Sequence, residues 1–500
     1  MNVLLENLLQ SISESQCQGD IGNLSVQGIS RDSRYVKPGD LFVCISGIKQ
    51  DGHLYAAQAV KAGAVALVVE RFIPELGIVP QIKVPNSRLA EALMAACFYG
   101  YPSRELKIVG VTGTNGKTTS TYLMESIIQQ AGHQAGIIGT IGTRFAGKSQ
   151  PLNNTTPSSL ELNGIMRDMR DAGCDYMVME VSSHALDQGR VEGLEFDIGV
   201  FTNITRDHLD YHKTMEDYLA AKCILFKRMA QCFDKGLPKR SIVNIDDPLG
   251  EKVVQSSSVP VITYAINKDA DVRALNVNLS PDKLSFTLKT PLGETPVCLG
   301  ISGLFNVYNS LAAAAMGIAL GFNLEDIRLG LEKVACVPGR FQRVDEGQDF
   351  LVLVDYAHTD DALLNLLKSA RQITKGKIII VFGAGGDRDR GKRPLMGEIA
   401  ARHADYSIIT SDNPRSEDPA LIAMDIELGV RRVLSPEPKY KVVLDREDAI
   451  REAINMAQPG DSVLIAGKGH ETYEIFADRT IHFDDVEMAR KYLQTNRTEK

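Results

Sequence analysis

Short apolar runs, bounded by glycine, proline or polar residues, alternate along the chain with longer stretches in which apolar side chains recur every three to four positions. The first pattern predicts strands and the second amphipathic helices, so their alternation predicts an α/β protein. Near the N-terminus, residues 40–45 and 66–69 predict strands flanking a helix over 56–62. A stronger strand–loop–helix unit begins near Leu106. It has a β-rich run over 108–111, a glycine loop, and a helix with Leu123, Ile127 and Ala131 on one face that ends at Gly132. Tyr101-Pro102-Ser103, just before this unit, predicts a linker. A helix over 324–334 precedes the turn signal Val337-Pro338-Gly339. The last third carries apolar runs over 351–354, 378–382, 406–410 and 463–466, each ending in a polar loop. These breaks predict three domains, 1–104, 105–337 and 338–500, in line with about 150 residues per domain.

Composition narrows the class. With 44% hydrophobic and 24% charged residues the chain is ordinary globular material. A formal net charge of -8, without a long run of one sign, argues against a nucleic-acid or anionic-membrane partner. The 8 cysteines are scattered, with neither a CxxC pair nor zinc-ligand spacing, which suits free thiols in a reducing compartment. The N-terminal stretch lacks a positive leader region and carries Glu6 among its apolar residues, so a signal peptide is not expected. The apolar stretch over 303–322 is interrupted by Asn306, Asn309 and Ser310 and predicts a buried helix rather than a membrane span. A cytoplasmic monomer acting on small molecules is the expectation.

The chemistry starts at Thr112-Gly113-Thr114-Asn115-Gly116-Lys117-Thr118-Thr119, which follows a strand and opens a helix. That is the setting of a phosphate loop: glycines let backbone N–H groups approach phosphate oxygens, and the helix N-terminus adds partial positive charge. Lys117 would neutralise phosphate and Thr118 would hold Mg²⁺. Val111 stands where the common pattern has its first glycine, so the loop is a variant with its extra glycine at Gly113. Glu180, directly after the apolar run 176–179, is a second candidate Mg²⁺ ligand. A further apolar run, 198–201, leads to His208, a candidate metal or phosphate contact.

The loop residues 113–119, Glu180-Val181-Ser182-Ser183-His184 and Asp207-His208-Leu209-Asp210-Tyr211-His212 resemble the motifs of the Mur ligases of peptidoglycan synthesis. The ordered series continues through Asn306 to Asn309, Pro338-Gly339-Arg340, Asp355-Tyr356-Ala357-His358, Asp412-Asn413-Pro414-Arg415 and Gly467-Lys468-Gly469-His470-Glu471. The last two resemble the branch of the family that adds meso-2,6-diaminopimelate. The resemblance covers all three expected domains. It implies a UDP-binding N-terminal domain, a central P-loop ATPase-like domain and a C-terminal Rossmann-like domain that brings the amino acid. The implied reaction is phosphorylation of a D-glutamyl carboxylate by ATP with Mg²⁺, then attack of the diaminopimelate amine on the acyl phosphate.

By that resemblance Lys117, His208 and Lys222 are catalytic. Lys222, carried as a carbamate, joins Thr118, Glu180 and His208 at the metal. Asn309, Arg340 and Asp355 match positions near the nucleotide. Asn154, Thr155, Thr156, Ser182, Gln188 and Arg190 match contacts to the MurNAc-dipeptide. Arg31, Ser33, Ile48, Lys49 and Gln50 match the UDP region. Two positions depart from the family's usual residues: Asp360 stands for proline, and Lys213 for glycine.

The C-terminal runs carry their own physical argument. Parallel α/β sheets bind ligands beyond the carboxyl ends of their strands, so Arg388, Asp412, Asn413, Pro414, Arg415, Gly467 and Glu471 are expected to converge. The glycines over 383–386 lack dinucleotide-loop spacing, and Asp387 would repel a phosphate. Diaminopimelate differs from lysine by a distal carboxylate, which a guanidinium grips with two parallel bonds. Arg415, assisted by Arg388, is therefore the expected selectivity residue, and Glu471 the acceptor for the distal ammonium. The rival readings are a lysine-adding Mur ligase or a folylpolyglutamate synthase, a P-loop NTPase switch, and an inactive sugar-peptide binding protein. Asp412-Asn413-Pro414-Arg415 argues against the first pair, and intact Lys117, Thr118, Glu180 and His208 against the last.

Overall fold

The computed structural model describes residues 2–47, 50–280, 283–433 and 439–498. The strands Asp40–Val43 and Ala66–Val69 are buried on both faces, which is why they read as continuous apolar runs. They lie in a five-stranded sheet ordered Gln16–Gln18, Gln81–Lys83, Ala66–Val69, Asp40–Val43, Gly28–Ser30. The pairing is parallel except at the Gln16–Gln18 edge. Helix Ser87–Phe98 covers one face, and the Asn86 side chain caps it by accepting from the backbone of Arg88 and Leu89.

The expected linker is a tied corner. Tyr101 adopts φ 52°, Pro102–Arg104 forms one turn of 3₁₀ helix with Pro102 and Ser103 buried, and the Arg104 guanidinium lies 4.0 Å from the Tyr101 ring centre. Aromatic and cationic side chains close over the backbone here, which turn chemistry alone does not announce.

Beyond the corner lies an eleven-stranded sheet. Strand Lys107–Thr112 lies inside it, next to the central strand, paired in parallel with Tyr176–Glu180 on one side and Ile198–Phe201 on the other. The register sets Glu180 opposite Val111 and Phe201 opposite Thr112. The carboxyl ends of three neighbouring strands therefore finish at one level. Antiparallel strands extend both edges: Gly142–Phe145 and Lys148–Gln150 at one, Leu284–Thr290 and Gly293–Leu299 at the other. Helix Leu304–Ala319 is buried, as its apolar composition requires. Its amides are satisfied locally: Asn306 donates to the Ser302 carbonyl at 2.7 Å, and Asn309 to the Asn306 side-chain oxygen at 2.9 Å.

The third sheet has six strands, ordered Gln342–Arg343, Leu351–Asp355, Ser462–Ala466, Ile378–Phe382, Tyr406–Ile409, Tyr440–Val442. All pairs but the first are parallel. Helices Asp360–Ile373, Lys392–His403 and Pro419–Val430 pack on one face, and Arg446–Met456 with Asp485–Thr498 on the other. The chain is thus an α/β protein with a central P-loop ATPase-like domain and a C-terminal Rossmann-like one. Among the described residues no helix is long and apolar enough to cross a membrane.

Helix Lys117–Gln130 is locked against helix Leu324–Glu332 by close backbone approach. A Cβ at Gly330 would stand 2.5 Å from Ile127 Cα, and Ser126 Oγ donates to the Gly330 carbonyl at 2.7 Å. Gly330→Ala is expected to cost about 1–3 kcal/mol by forcing these helices apart. A thermal melt checks this, and an unchanged melting temperature would mean the helices do not interlock there.

Candidate active site

The phosphate loop is shaped by what a side chain at its glycines would hit. Gly113 has φ 148° and Gly116 φ 86°, and a Cβ would run into the Thr202 hydroxyl at the first and the Asn309 carboxamide at the second. Asn309 thus packs directly against the loop. Lys117 Nζ folds back and donates to the carbonyls of Gly113 at 2.9 Å and Thr114 at 2.8 Å. Burial pushes its ammonium below the usual lysine range.

Glu180, at the end of the neighbouring strand, is the junction of the site. It accepts from the Thr118 hydroxyl at 2.9 Å, from the Thr140 backbone at 2.9 Å and from the Thr140 hydroxyl at 3.0 Å. Arg340 reaches across from the turn that leads into the third sheet and donates to the Thr118 hydroxyl at 3.3 Å. Asp355 presents Arg340 by accepting from the backbone of Phe341 at 2.7 Å and of Ala357 at 2.8 Å. Asp361 makes a second bridge. Its carboxylate accepts from Asn115 in the loop at 3.0 Å and from Thr205 at 2.8 Å.

Lys222 lies on helix Met215–Arg228 and is 1% exposed. Its Nζ stands 4.3 Å from the Tyr218 ring centre and has no hydrogen-bond or ion-pair partner among the described residues. Burial, and then the charge of Lys117, push it well below the ordinary lysine value. His208 has φ 55° and stands beside Asp207, its ring centre 4.8 Å from that of His184. Among the described residues no cluster of three or more His, Cys, Asp and Glu side chains forms a ready metal cage. Thr118, Glu180 and His208 are a sparse donor set, with hard oxygens at its centre.

A cleft of about 370 Å³ joins these loops to the strand ends of the third sheet. Asn154, Thr155 and His208 line one wall, and Arg388, Asp412, Asn413, Arg415, Gly467 and Glu471 the other. The six are drawn from three separate strand ends, so the expected convergence is met in space. Pro414 is not among the lining residues, but its carbonyl packs against Gly386. Arg415 donates to the Gly386 carbonyl at 2.8 Å and forms no ion pair among the described residues. Asp412 instead lies 3.7 Å from Lys468. Burial and the nearby Asp412 charge raise Glu471 above the usual carboxylate range, while Asn413 donates to it at 2.8 Å.

The remaining candidates divide. Thr156 is fully buried; its hydroxyl donates to the Glu180 carbonyl at 2.9 Å and accepts from the Ser182 backbone at 3.0 Å. Ser182 caps a short helix through the Ala185 backbone. Gln188 and Arg190 bond each other, and Arg190 also donates to the Thr156 carbonyl at 3.0 Å. Burial, then the positive charges of Arg31 and Arg88, lower the Arg190 value, which sets these three arginines near one another. Arg31 lies 3.9 Å from Glu91, Ser33 donates to Gln58 at 3.0 Å, and Gln50 is exposed. Ile48 and Lys49 lie outside the described residues.

Both departures from the family's usual residues have a local account. Lys213 adopts φ 64°, the left-handed conformation that glycine takes without strain. Asp360 opens helix Asp360–Ile373 after the cap Thr359, where proline fits sterically and aspartate suits the helix dipole. Thr140, Asp361, His184, Tyr218 and Lys392 are site residues that the sequence reading did not single out. Their distance along the chain hides them, although His184 sits inside a quoted motif.

Three family models match the chain: the Mur ligase family catalytic domain over residues 25–98, the Mur ligase middle domain over 111–317, and the glutamate ligase domain over 339–469. A UDP-N-acetylmuramoyl-L-alanyl-D-glutamate–2,6-diaminopimelate ligase of Geobacillus thermodenitrificans is 49% identical, over 95% of this chain and 96% of that protein. A ligase of the same name from Syntrophomonas wolfei is 44% identical over 98% of each. A solved structure bearing that name superposes with a TM-score of 0.71 at 32% identity, covering 99% of this chain and 100% of the other. MurF from Acinetobacter baumannii shares the fold at 21% identity, with a TM-score of 0.67 and 99% of each chain covered. Matched by three family models and by relatives up to 49% identical over nearly its full length, this chain belongs to the Mur ligase family.

Proposed function

We propose that the chain is an ATP-dependent, ADP-forming amide ligase of peptidoglycan synthesis. It adds meso-2,6-diaminopimelate to UDP-N-acetylmuramoyl-L-alanyl-D-glutamate through an acyl phosphate, in the cytoplasm. The observation that carries this reading is the shared cleft. One wall belongs to the phosphate-loop domain, and the other carries Arg415 without a carboxylate partner. A ligand carboxylate is the natural complement of that guanidinium. The names of the relatives support the same substrates. The division of labour follows: residues 1–104 hold the UDP end, 105–337 the ATP, and 338–500 the amino acid.

The first step brings a carboxylate to a phosphate that repels it, so positive charge at the junction is the main catalytic need. Lys117, released from its own loop carbonyls, neutralises phosphate oxygens. Arg340 adds a second cation from the opposite domain. The hydroxyl of Thr118 and the carboxylate of Glu180, with His208 nearby, suit Mg²⁺, which keeps few protein ligands and shares phosphate oxygens. When bound, the ion spreads the charge that builds on the transferring phosphate. Lys222 is buried with no hydrogen-bond or ion-pair partner for its amine among the described residues, and as a carbamate it would place an anion in this site. In the second step the cleft holds diaminopimelate by the two charged groups of its distal end. Arg415 and Arg388 take the distal carboxylate, and Glu471 and Asp412 take the distal ammonium. The reacting amine is thereby aimed at the acyl phosphate, and closure of the domains excludes water. The lysine-adding reading is less favoured, because lysine would leave Arg415 unanswered.

Phosphate release with ATP, Mg²⁺ and the UDP-dipeptide is expected only when diaminopimelate is added, with a tripeptide of matching mass. Release with lysine instead would keep the ligase and overturn the role of Arg415. Arg415→Ala is expected to lower kcat/KM for diaminopimelate by about 10³-fold or more while ATP affinity stays within about twofold. Equal losses of both would remove Arg415 from selectivity. Lys222→Ala is expected to lower kcat by about 10²-fold or more. It should also abolish a carbamate carbon signal seen by NMR after incubation of the wild-type protein with ¹³C-bicarbonate. A signal that persists in the variant would place the modification elsewhere.

A further inference from the structure

Beneath the amino-acid wall of the cleft lies an ion pair that neither the motifs nor the cleft lining include. Arg446 and Asp485 have side chains 0% exposed and meet through two parallel bonds, Nε to Oδ1 and Nη2 to Oδ2, both 2.7 Å. Apolar residues of similar volume often replace such a pair without loss of stability, so stability alone does not account for it. The guanidinium's other bonds do. Nη1 donates to the Ser411 carbonyl at 3.1 Å, and Nη2 to the Ala466 carbonyl at 3.0 Å. These residues stand immediately before Asp412 and Gly467. Their strands, Tyr406–Ile409 and Ser462–Ala466, are not neighbours, for Ile378–Phe382 runs between them. One planar group therefore spans two strand ends that no backbone ladder joins directly.

A second set of bonds carries the constraint to the ligand-facing residues. Ser411 Oγ donates to Glu474 at 2.8 Å. Lys468 Nζ donates to the Asn413 side chain at 3.2 Å and to the Tyr473 carbonyl at 2.8 Å. Asn413 in turn holds Glu471. There is little slack, since a Cβ at Gly467 would lie 3.0 Å from the Asp412 carboxylate and 3.9 Å from Arg446 Nη2.

We propose that Arg446, locked by Asp485, is a positioning residue for amino-acid selectivity. It fixes the separation between the 412–415 loop, which carries the carboxylate grip, and the 467–471 loop, which carries the ammonium acceptor. The proposal rests on the reading of this cleft as the diaminopimelate site. A ligand with charged groups at a fixed spacing is distinguished from a singly charged analogue only while both grips stand at that spacing. Relaxing the frame lets the grips drift and weakens most the ligand whose distal carbon carries both charged groups.

Two full-length variants test this. R446K keeps the charge but loses the planar fork that meets the carboxylate and both carbonyls together. R446M/D485L replaces the pair with apolar volume and is expected to stay folded, melting below the wild type because the Ser411 and Ala466 carbonyls lose their donor. In both, KM for diaminopimelate is expected to rise about tenfold or more, and the kcat/KM preference for diaminopimelate over lysine to fall about tenfold, with KM for ATP and for the UDP-dipeptide within about twofold. Folded variants with unchanged amino-acid KM and preference overturn the proposal. So does a fall in kcat alone, and so does failure of both variants to fold, which would make the pair a stability element. A wild-type protein that does not consume diaminopimelate refutes the proposed reaction itself, whatever the variants do.

Discussion

The Thr118 hydroxyl donates to Glu180 at 2.9 Å while accepting from Arg340, and through that oxygen three parts of the chain meet. Thr118 belongs to the helix after the phosphate loop, Glu180 to the adjacent strand end, and Arg340 to the turn that leads into the third sheet. The meeting depends on the parallel register that sets Glu180 opposite Val111. A slip of one residue would turn the carboxylate to the other face of the sheet. The cleft, the placement of His208 and the reach of Asp361 to Asn115 all take their geometry from this level of strand ends.

Charge is handled differently on the two sides of the cleft. On the phosphate side, Lys222 is buried and Lys117 half-buried, neither has a carboxylate ion-pair partner among the described residues, and both are held below the ordinary lysine range, most of all by burial. That side is poised to receive anions. On the amino-acid side, buried arginines are paired with carboxylates. Arg446 is paired with Asp485, and Arg393 with Glu417 and Asp425 while also donating to the Gly385 carbonyl. Those pairs hold backbone in place and leave Arg415 and Arg388 as the guanidinium groups facing the cleft.

Much of the site was legible because its parts are local. A glycine loop between a strand and a helix, a carboxylate after an apolar run, and an arginine in Asp412-Asn413-Pro414-Arg415 each carry their chemistry within a few residues. Other parts were hidden by separation. Thr140 reaches Glu180 from 40 positions away, and Asp485 reaches Arg446 from 39. Thr156, read as a substrate contact, spends its hydroxyl on the Glu180 carbonyl and the Ser182 backbone. Residue type alone does not tell whether a hydroxyl faces a cleft or a neighbouring strand.

By itself the sequence determined the α/β class, the phosphate loop, the family and the residue types of the amino-acid wall, because periodicity and motif spacing are properties of neighbouring residues. Only the tertiary structure decided which of those residues share a cleft, that Tyr101 to Ser103 close into a corner, and that antiparallel strands extend the central sheet. It also decided that Arg446 fixes two strand ends that are not adjacent. Such contacts form when distant segments exclude water together, and their partners are chosen by register and packing across the sheet rather than by order along the chain.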